Sequence, residues 1–225
     1  MIRISQSVFG KATTVVCGHY GAGKTNLSMN LAFDSSGSAE TTLIDLDIVN
    51  PYFRSSDNRW ILEDRGIRVI GPNFANTNTD TPSLPPAVDV ALAGSGRVIV
   101  DAGGDDAGAV VLGRYSGAIR KRGYEMIYVV NMYRSMTQTP EDAVGILRSI
   151  EAASGLEATG IVNNSHLKER TDARTVEASV GFAEEVSEMT SLPLLFTTAP
   201  RLVTDSLNKI TNVYPLDIYV RTPWE

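Results

Sequence analysis

Eight residues, Gly18-His19-Tyr20-Gly21-Ala22-Gly23-Lys24-Thr25, match G-x-x-x-x-G-K-[ST] in full, and this pattern has the chemistry of a phosphate grip. Glycines let the backbone wrap an anion without Cβ clashes, so several N–H groups can point inward. A helix opening directly after the loop adds the positive end of its dipole. Lys24 supplies a mobile cation for the outer phosphates, and Thr25 offers a hydroxyl to a magnesium ion. The preceding residues, Ala12 to Cys17 (ATTVVC), read as an apolar β-branched strand, and Asn26 to Phe33 read as the helix. This strand–loop–helix setting separates a phosphate loop from a glycine turn that happens to precede a lysine.

Two acidic strand ends complete a triphosphate site. Thr42-Leu43-Ile44-Asp45-Leu46-Asp47 ends in D-x-D, and Arg97-Val98-Ile99-Val100-Asp101 runs into Gly103 and Gly104. Ligands of open α/β sheets sit beyond the carboxyl ends of the strands, so both acids are expected beside the phosphate loop. Asp101 is placed to hold magnesium directly or through water. Gly103 and Gly104 are placed to offer a backbone N–H to the γ-phosphate and to move when it leaves. Asp47 is placed to orient or deprotonate the attacking water. Asp45 reads as a structural anchor at its strand end.

The elements that must carry these residues alternate between apolar β-branched runs and helical patterns. This predicts an α/β fold with a doubly wound, mostly parallel sheet and helices on both faces, as one domain over 1–225. Strands are predicted at Thr13–Cys17, Thr41–Asp45, Arg68–Ile70, Val98–Asp101, Met126–Val130, Thr159–Asn163 and Leu194–Thr197. Helices are predicted at Lys24–Phe33, Asp106–Arg122, Pro140–Ala153 and Asp172–Met189, the last two capped by Thr139 and Thr171. Asn73 to Pro86 reads as a loop or lid edge, and the tail after Arg201 as a finishing segment packed on the sheet.

With three motifs at these intervals, nearly the whole chain resembles the MinD/ParA/Mrp group of P-loop ATPases, in the class that includes nitrogenase iron protein. The resemblance implies Thr25 as magnesium ligand, Asp47 as catalytic aspartate and Asp101 as the magnesium residue behind it. It implies that Gly18 to Asn26, with Gly104, hold the phosphates. The strand ending Asn163-Asn164-Ser165 is similar to the group's base-reading strand, with Asn164 as the adenine contact. An amide both donates and accepts along a base edge. Ala199-Pro200 resembles the loop that packs beside the base. No NKxD guanine signature is present, so ATP is expected over GTP.

The group's loop normally reads K-G-G-x-G-K-T, and its early lysine reaches the phosphates of a partner subunit. His19 and Tyr20 stand there instead. A triphosphate beside His19 is expected to raise its pKa toward the cationic form. An ATP-sandwich homodimer therefore stays a hypothesis. Arg54 is weighed as a substitute finger against a solvent-facing arginine, and Tyr52 and Phe53 as a partner-reading surface against core packing. Asn131 stands on the same rim and is a candidate lining residue, while Met132-Tyr133-Arg134 are given no chemistry. His166 reads as a satisfied loop histidine.

A net charge of -6 argues against a general nucleic-acid surface. The run Arg120-Lys121-Arg122 ends a predicted helix, where cations complement the dipole. Cys17 is the one cysteine and reads as a buried small hydrophobe. No signal peptide, membrane span or basic amphipathic C-terminal helix is read, so a cytoplasmic setting without membrane attachment is expected. The expected function is a slow Mg-ATP-dependent switch or maturation factor acting on a client protein. The alternative is an ATP-using amide ligase resembling cobyrinic acid diamide synthase or dethiobiotin synthetase. A nucleotide-bound scaffold without hydrolysis is the third possibility.

Overall fold

A computed structural model describes residues 10–47, 58–72 and 85–220. Among the described residues one sheet runs β3-β2-β4-β1-β5-β6-β7-β8, with every neighbouring pair parallel. The strands are β1 (Thr13–Cys17), β2 (Thr41–Asp45), β3 (Arg68–Ile70), β4 (Arg97–Asp101), β5 (Tyr124–Val130), β6 (Gly160–Asn163), β7 (Leu194–Pro200) and β8 (Val213–Leu216). The chain winds outward from β1 to β3, returns to β4, and crosses β1 to begin the other half at β5. The winding direction thus reverses around β1, the strand that leads into the phosphate loop.

Alternation along each strand divides the core between two faces. Val15 and Cys17 turn toward α4 (Asp106–Arg122), α5 (Pro140–Ser154) and α7 (Val180–Thr190), packing with Leu112, Leu147 and Val186. Val16 turns the other way, toward Leu27 and Leu31 of α1 (Lys24–Ser36) and Leu62 of α2 (Arg59–Glu63). Cys17 is fully buried, as expected of a small apolar side chain, and burial pushes its thiol up to about 12.

Several elements differ from the sequence reading. The predicted helix Asp172–Met189 is two helices, α6 (Ala173–Ala178) and α7, meeting at Ser179. The buried Ser179 hydroxyl donates to the Val176 carbonyl and accepts from the Asn163 amide, so local polar bonds interrupt the helical period. Thr139 caps α5 as predicted, but Asp172, not Thr171, caps α6, accepting from Thr175 N at 2.8 Å. Thr171 is spent in the preceding turn, where it accepts from Leu167 N and donates to the Lys168 carbonyl. Short α2 and α3 (Ala87–Ala93) lack enough turns to show a period in the sequence. The tail supplies β8, an eighth parallel strand. The basic run closing α4 is spent locally: Arg120 donates to the Gly155 carbonyl, and Arg122 to carbonyls at Leu92, Gly94 and Gly96. The Ile48–Arg54 segment lies outside the described residues, as does the Asn73–Pro86 loop up to residue 84.

Candidate functional site

The phosphate loop leaves β1 and enters α1 through Gly23, which adopts φ +86° and gives α1 no side-chain cap. A Cβ there would also lie 2.2 Å from the Asn164 amide nitrogen, so glycine is required on two counts. An uncapped first turn presents backbone N–H groups that an anion can take. Lys24 is buried, and its Nζ donates to the His19 carbonyl at 3.2 Å. Burial pulls the Lys24 pKa down, while Asp101 and Asp47 pull it back up.

Both predicted acids reach this lysine. Asp101, at the end of β4, accepts hydrogen bonds from the Thr25 hydroxyl and from Ser28 Oγ at 3.3 Å. Burial, then the neighbouring Asp45, raise its carboxyl to about 7 against Lys24 and Thr25. Asp45 holds the Asp47 N–H at 3.0 Å, the anchoring role expected of it. Asp47 is only 6% exposed and borders the cavity. Gly104 lies against the opposite side of the loop, where its carbonyl accepts the Tyr20 N–H at 3.1 Å. A Cβ on Gly104 would stand 2.7 Å from Lys24 Nζ and from Tyr20 N.

A cavity of about 850 Å³ extends from the loop over the ends of β5 to β8. Of the residues expected at the site, Tyr20, Gly21, Gly23, Lys24, Thr25 and Asn26 border it, as do Asp47, Asn164 and Pro200. Gly18, Ala22 and Asp101 are buried around it. The Asn164 amide donates to the Ala22 carbonyl at 2.6 Å, and its oxygen accepts from Thr198. It ties the loop to β7, and its amide has a second N–H besides the one given to Ala22. Asn26 borders the cavity, but its side chain is engaged elsewhere. Its side chain grips the tail, donating to the Asp217 carbonyl at 3.0 Å and accepting from Tyr219 N at 2.8 Å, so only its main chain is left for a phosphate.

His19 does not border the cavity, and burial and then Lys24 lower its pKa. Asn131 also stays off the lining; its buried oxygen organises the turn after β5 by accepting from Tyr133 N. The sequence reading passed over Arg134, His166, Lys168 and the tail residues Leu216, Ile218 and Val220, all of which border the cavity. Their common signal is a place at or just beyond the carboxyl end of a parallel strand.

Similar architectures occur in solved structures. FtsY, a cell division protein of Thermotoga maritima, matches with a TM-score of 0.57 and 19% identity over 83% of this chain and 61% of that one. FtsY of Mycoplasma mycoides matches with a TM-score of 0.53 and 13% identity over 83% and 59%. The signal recognition particle 54 kDa protein of Aeropyrum pernix, in complex with GDP, matches with a TM-score of 0.52 and 17% identity over 82% and 40%. The chain has a P-loop NTPase fold. It spans less than two thirds of each of those three chains. No protein-family model and no curated protein matches it.

Proposed function

We propose that this chain binds Mg-ATP, hydrolyses it slowly, and uses the bound and released states to act on a client protein, as the MinD/ParA/Mrp group does. One observation carries the reading: Lys24, Thr25, Asp47 and Asp101 converge where the uncapped α1 meets the cavity. The donors suit magnesium. Among the described residues no three His, Cys, Asp or Glu side chains form a metal cage, and magnesium takes its remaining ligands from phosphate and water. Thr25 and Asp47 would hold the ion, with Asp101 acting through the Thr25 hydroxyl and water. The ion would neutralise charge on the phosphate oxygens. Asp47 orients the attacking water and accepts its proton.

ATP is preferred because Leu167 stands where the guanine signature N-K-x-D, read from Asn164, places the aspartate that accepts from guanine's two donors. The residues after Asn164 are Ser165, His166 and Leu167, none of them acidic. Tyr20, 52% exposed at the cavity mouth, gives a client or a second copy of the chain an aromatic contact.

Calorimetric titration with Mg-ATP and Mg-GTP, paired with phosphate-release assays on wild type and Asp47→Asn, tests the proposal. Tighter ATP binding is expected, with slow turnover lost in the variant and binding kept. Equal turnover in both proteins overturns the catalytic role of Asp47. Phosphate release that requires a carboxylate metabolite identifies an amide ligase or synthetase instead. Unchanged mass by light scattering in Mg-ATP and Mg-ADP rules out nucleotide-dependent pairing of two copies.

A further inference from the structure

Arg134 lies in the turn after β5, four residues past the end of that strand. Its Nε donates to the Gly21 carbonyl at 2.7 Å. A Cβ on Gly21 would fall 3.3 Å from Nε and 3.6 Å from Cζ, so the guanidinium lies against the bare face of that glycine. The turn is held independently of this side chain. Arg134 N donates to the Asn131 carbonyl at 3.2 Å, Thr137 Oγ1 to the same carbonyl at 2.7 Å, and Thr137 N to the Arg134 carbonyl at 3.0 Å. Neither the grip on the phosphates nor the hydrolytic step gives this cation a task.

Lys24, Thr25 and Asp47 fix the phosphate end of the cavity. The same cavity is also bordered by Arg134 and by apolar Pro200, Ile218 and Val220. Arg134 follows β5 and Pro200 ends β7, with β6 between them. Two strand spacings amount to about 10 Å, room enough for one planar ring over the sheet edge. A guanidinium is planar, permanently charged and suited to stacking on an aromatic face.

We propose that Arg134, seated on Gly21, is the platform for the ribose–base end of the nucleotide. It is a specificity-determining binding residue and does not serve the phosphates. The inference rests on the phosphate-loop reading above and adds which side chain faces the base. Asn164 reads an edge of the ring, and Arg134 supports its face.

The test is calorimetric titration of wild type, Arg134→Ala and Arg134→Lys with Mg-ATP and with magnesium tripolyphosphate, which has no ribose or base. The expected result is an ATP affinity lowered by about tenfold in Arg134→Ala, with tripolyphosphate affinity unchanged. Arg134→Lys keeps a donor for Gly21 but loses the flat face, so it shows the same selective loss. Should the alanine variant fail to fold, the lysine variant alone decides. Equal losses for both ligands overturn the platform, because Arg134 would then serve the phosphates or the loop. Unchanged ATP affinity in both variants also overturns it. A wild type that binds neither ligand removes the phosphate-loop reading and this inference together. One that binds tripolyphosphate but not ATP removes this inference and the assignment of ATP while leaving the phosphate grip.

Discussion

Asp45 and Asp101 stand opposite one another in register across β2 and β4, and both are buried. Like charges in such a pair repel. The two carboxylates nevertheless have different partners. Asp101 meets Thr25 and Ser28, whereas Asp45 holds the N–H of Asp47. The geometry makes Asp45 the residue that shapes the turn aiming Asp47. Asp45→Ala should lower stability by about 1–3 kcal/mol, the usual cost of stranding a buried donor. Asp45→Asn keeps an acceptor and relieves the repulsion, so it should melt no lower than wild type at neutral pH and still hydrolyse nucleotide. Thermal melts and phosphate release on both variants check this. Loss of hydrolysis in Asp45→Asn would make Asp45 a participant in the chemistry.

Gly104 presses on the phosphate loop from the β4 side. Its added Cβ would meet Lys24 Nζ and backbone atoms of Tyr20 within 2.8 Å. Lysine's tip can swing away; the Tyr20 backbone can do so only by shifting the loop. Gly104→Ala is therefore expected to weaken Mg-ATP binding at least several-fold with a modest fall in melting temperature. Affinity equal to wild type would show that the loop tolerates displacement there.

Asn164 joins the Ala22 carbonyl to Thr198 from a buried position. Asn164→Ala strands both partners, at a cost of about 1–3 kcal/mol. Nucleotide affinity should fall with it, because Ala22 belongs to the loop. Denaturant unfolding measures the first effect and calorimetry the second; a variant as stable as wild type would contradict the strut.

His166 is held at about 4, below its ordinary 6.5, because burial strips its water and Arg134 and Lys168 oppose another positive charge. Its Nδ1 accepts the Lys168 N–H at 3.1 Å, and Lys168 itself sits at φ +54°. The folded chain keeps this ring neutral down to pH about 4, while the unfolded chain protonates it near 6.5. Between those values the unfolded state binds more protons, so stability rises with pH and is lost as pH falls. The contribution is at most about 3.5 kcal/mol, since each tenfold change in proton affinity is worth about 1.4 kcal/mol. His19, also lowered, adds in the same direction. Melting temperature should drop from about pH 6.5 to about pH 4 in wild type and drop less in His166→Gln. Parallel slopes for the two proteins would refute the assignment.

Much of the site was legible because its motifs are local. The loop Gly18–Thr25 needs only a strand before it and a helix after it, and both lie within a few residues. Asp47 and Asp101 were legible because an apolar β-branched run ending in an acid marks a strand's carboxyl end, and parallel sheets gather those ends. The side-chain bonds of Asn26 were not legible, because its neighbours in sequence belong to the loop while its partners, Asp217 and Tyr219, come from the far end of the chain. The break at Ser179 escaped because apolar periodicity continues across it, whereas the bond that explains it comes from Asn163.

The sequence by itself determined a phosphate-loop pattern, two acids near it and an alternating α/β order, since each rests on spacing along the backbone. Only the tertiary structure decided which side chains line the rest of the cavity. Strand order β1-β5-β6-β7-β8 brings Arg134, His166, Pro200 and Ile218 to one rim from the ends of four separate strands. No short-range pattern encodes that gathering, because it depends on which strands lie side by side.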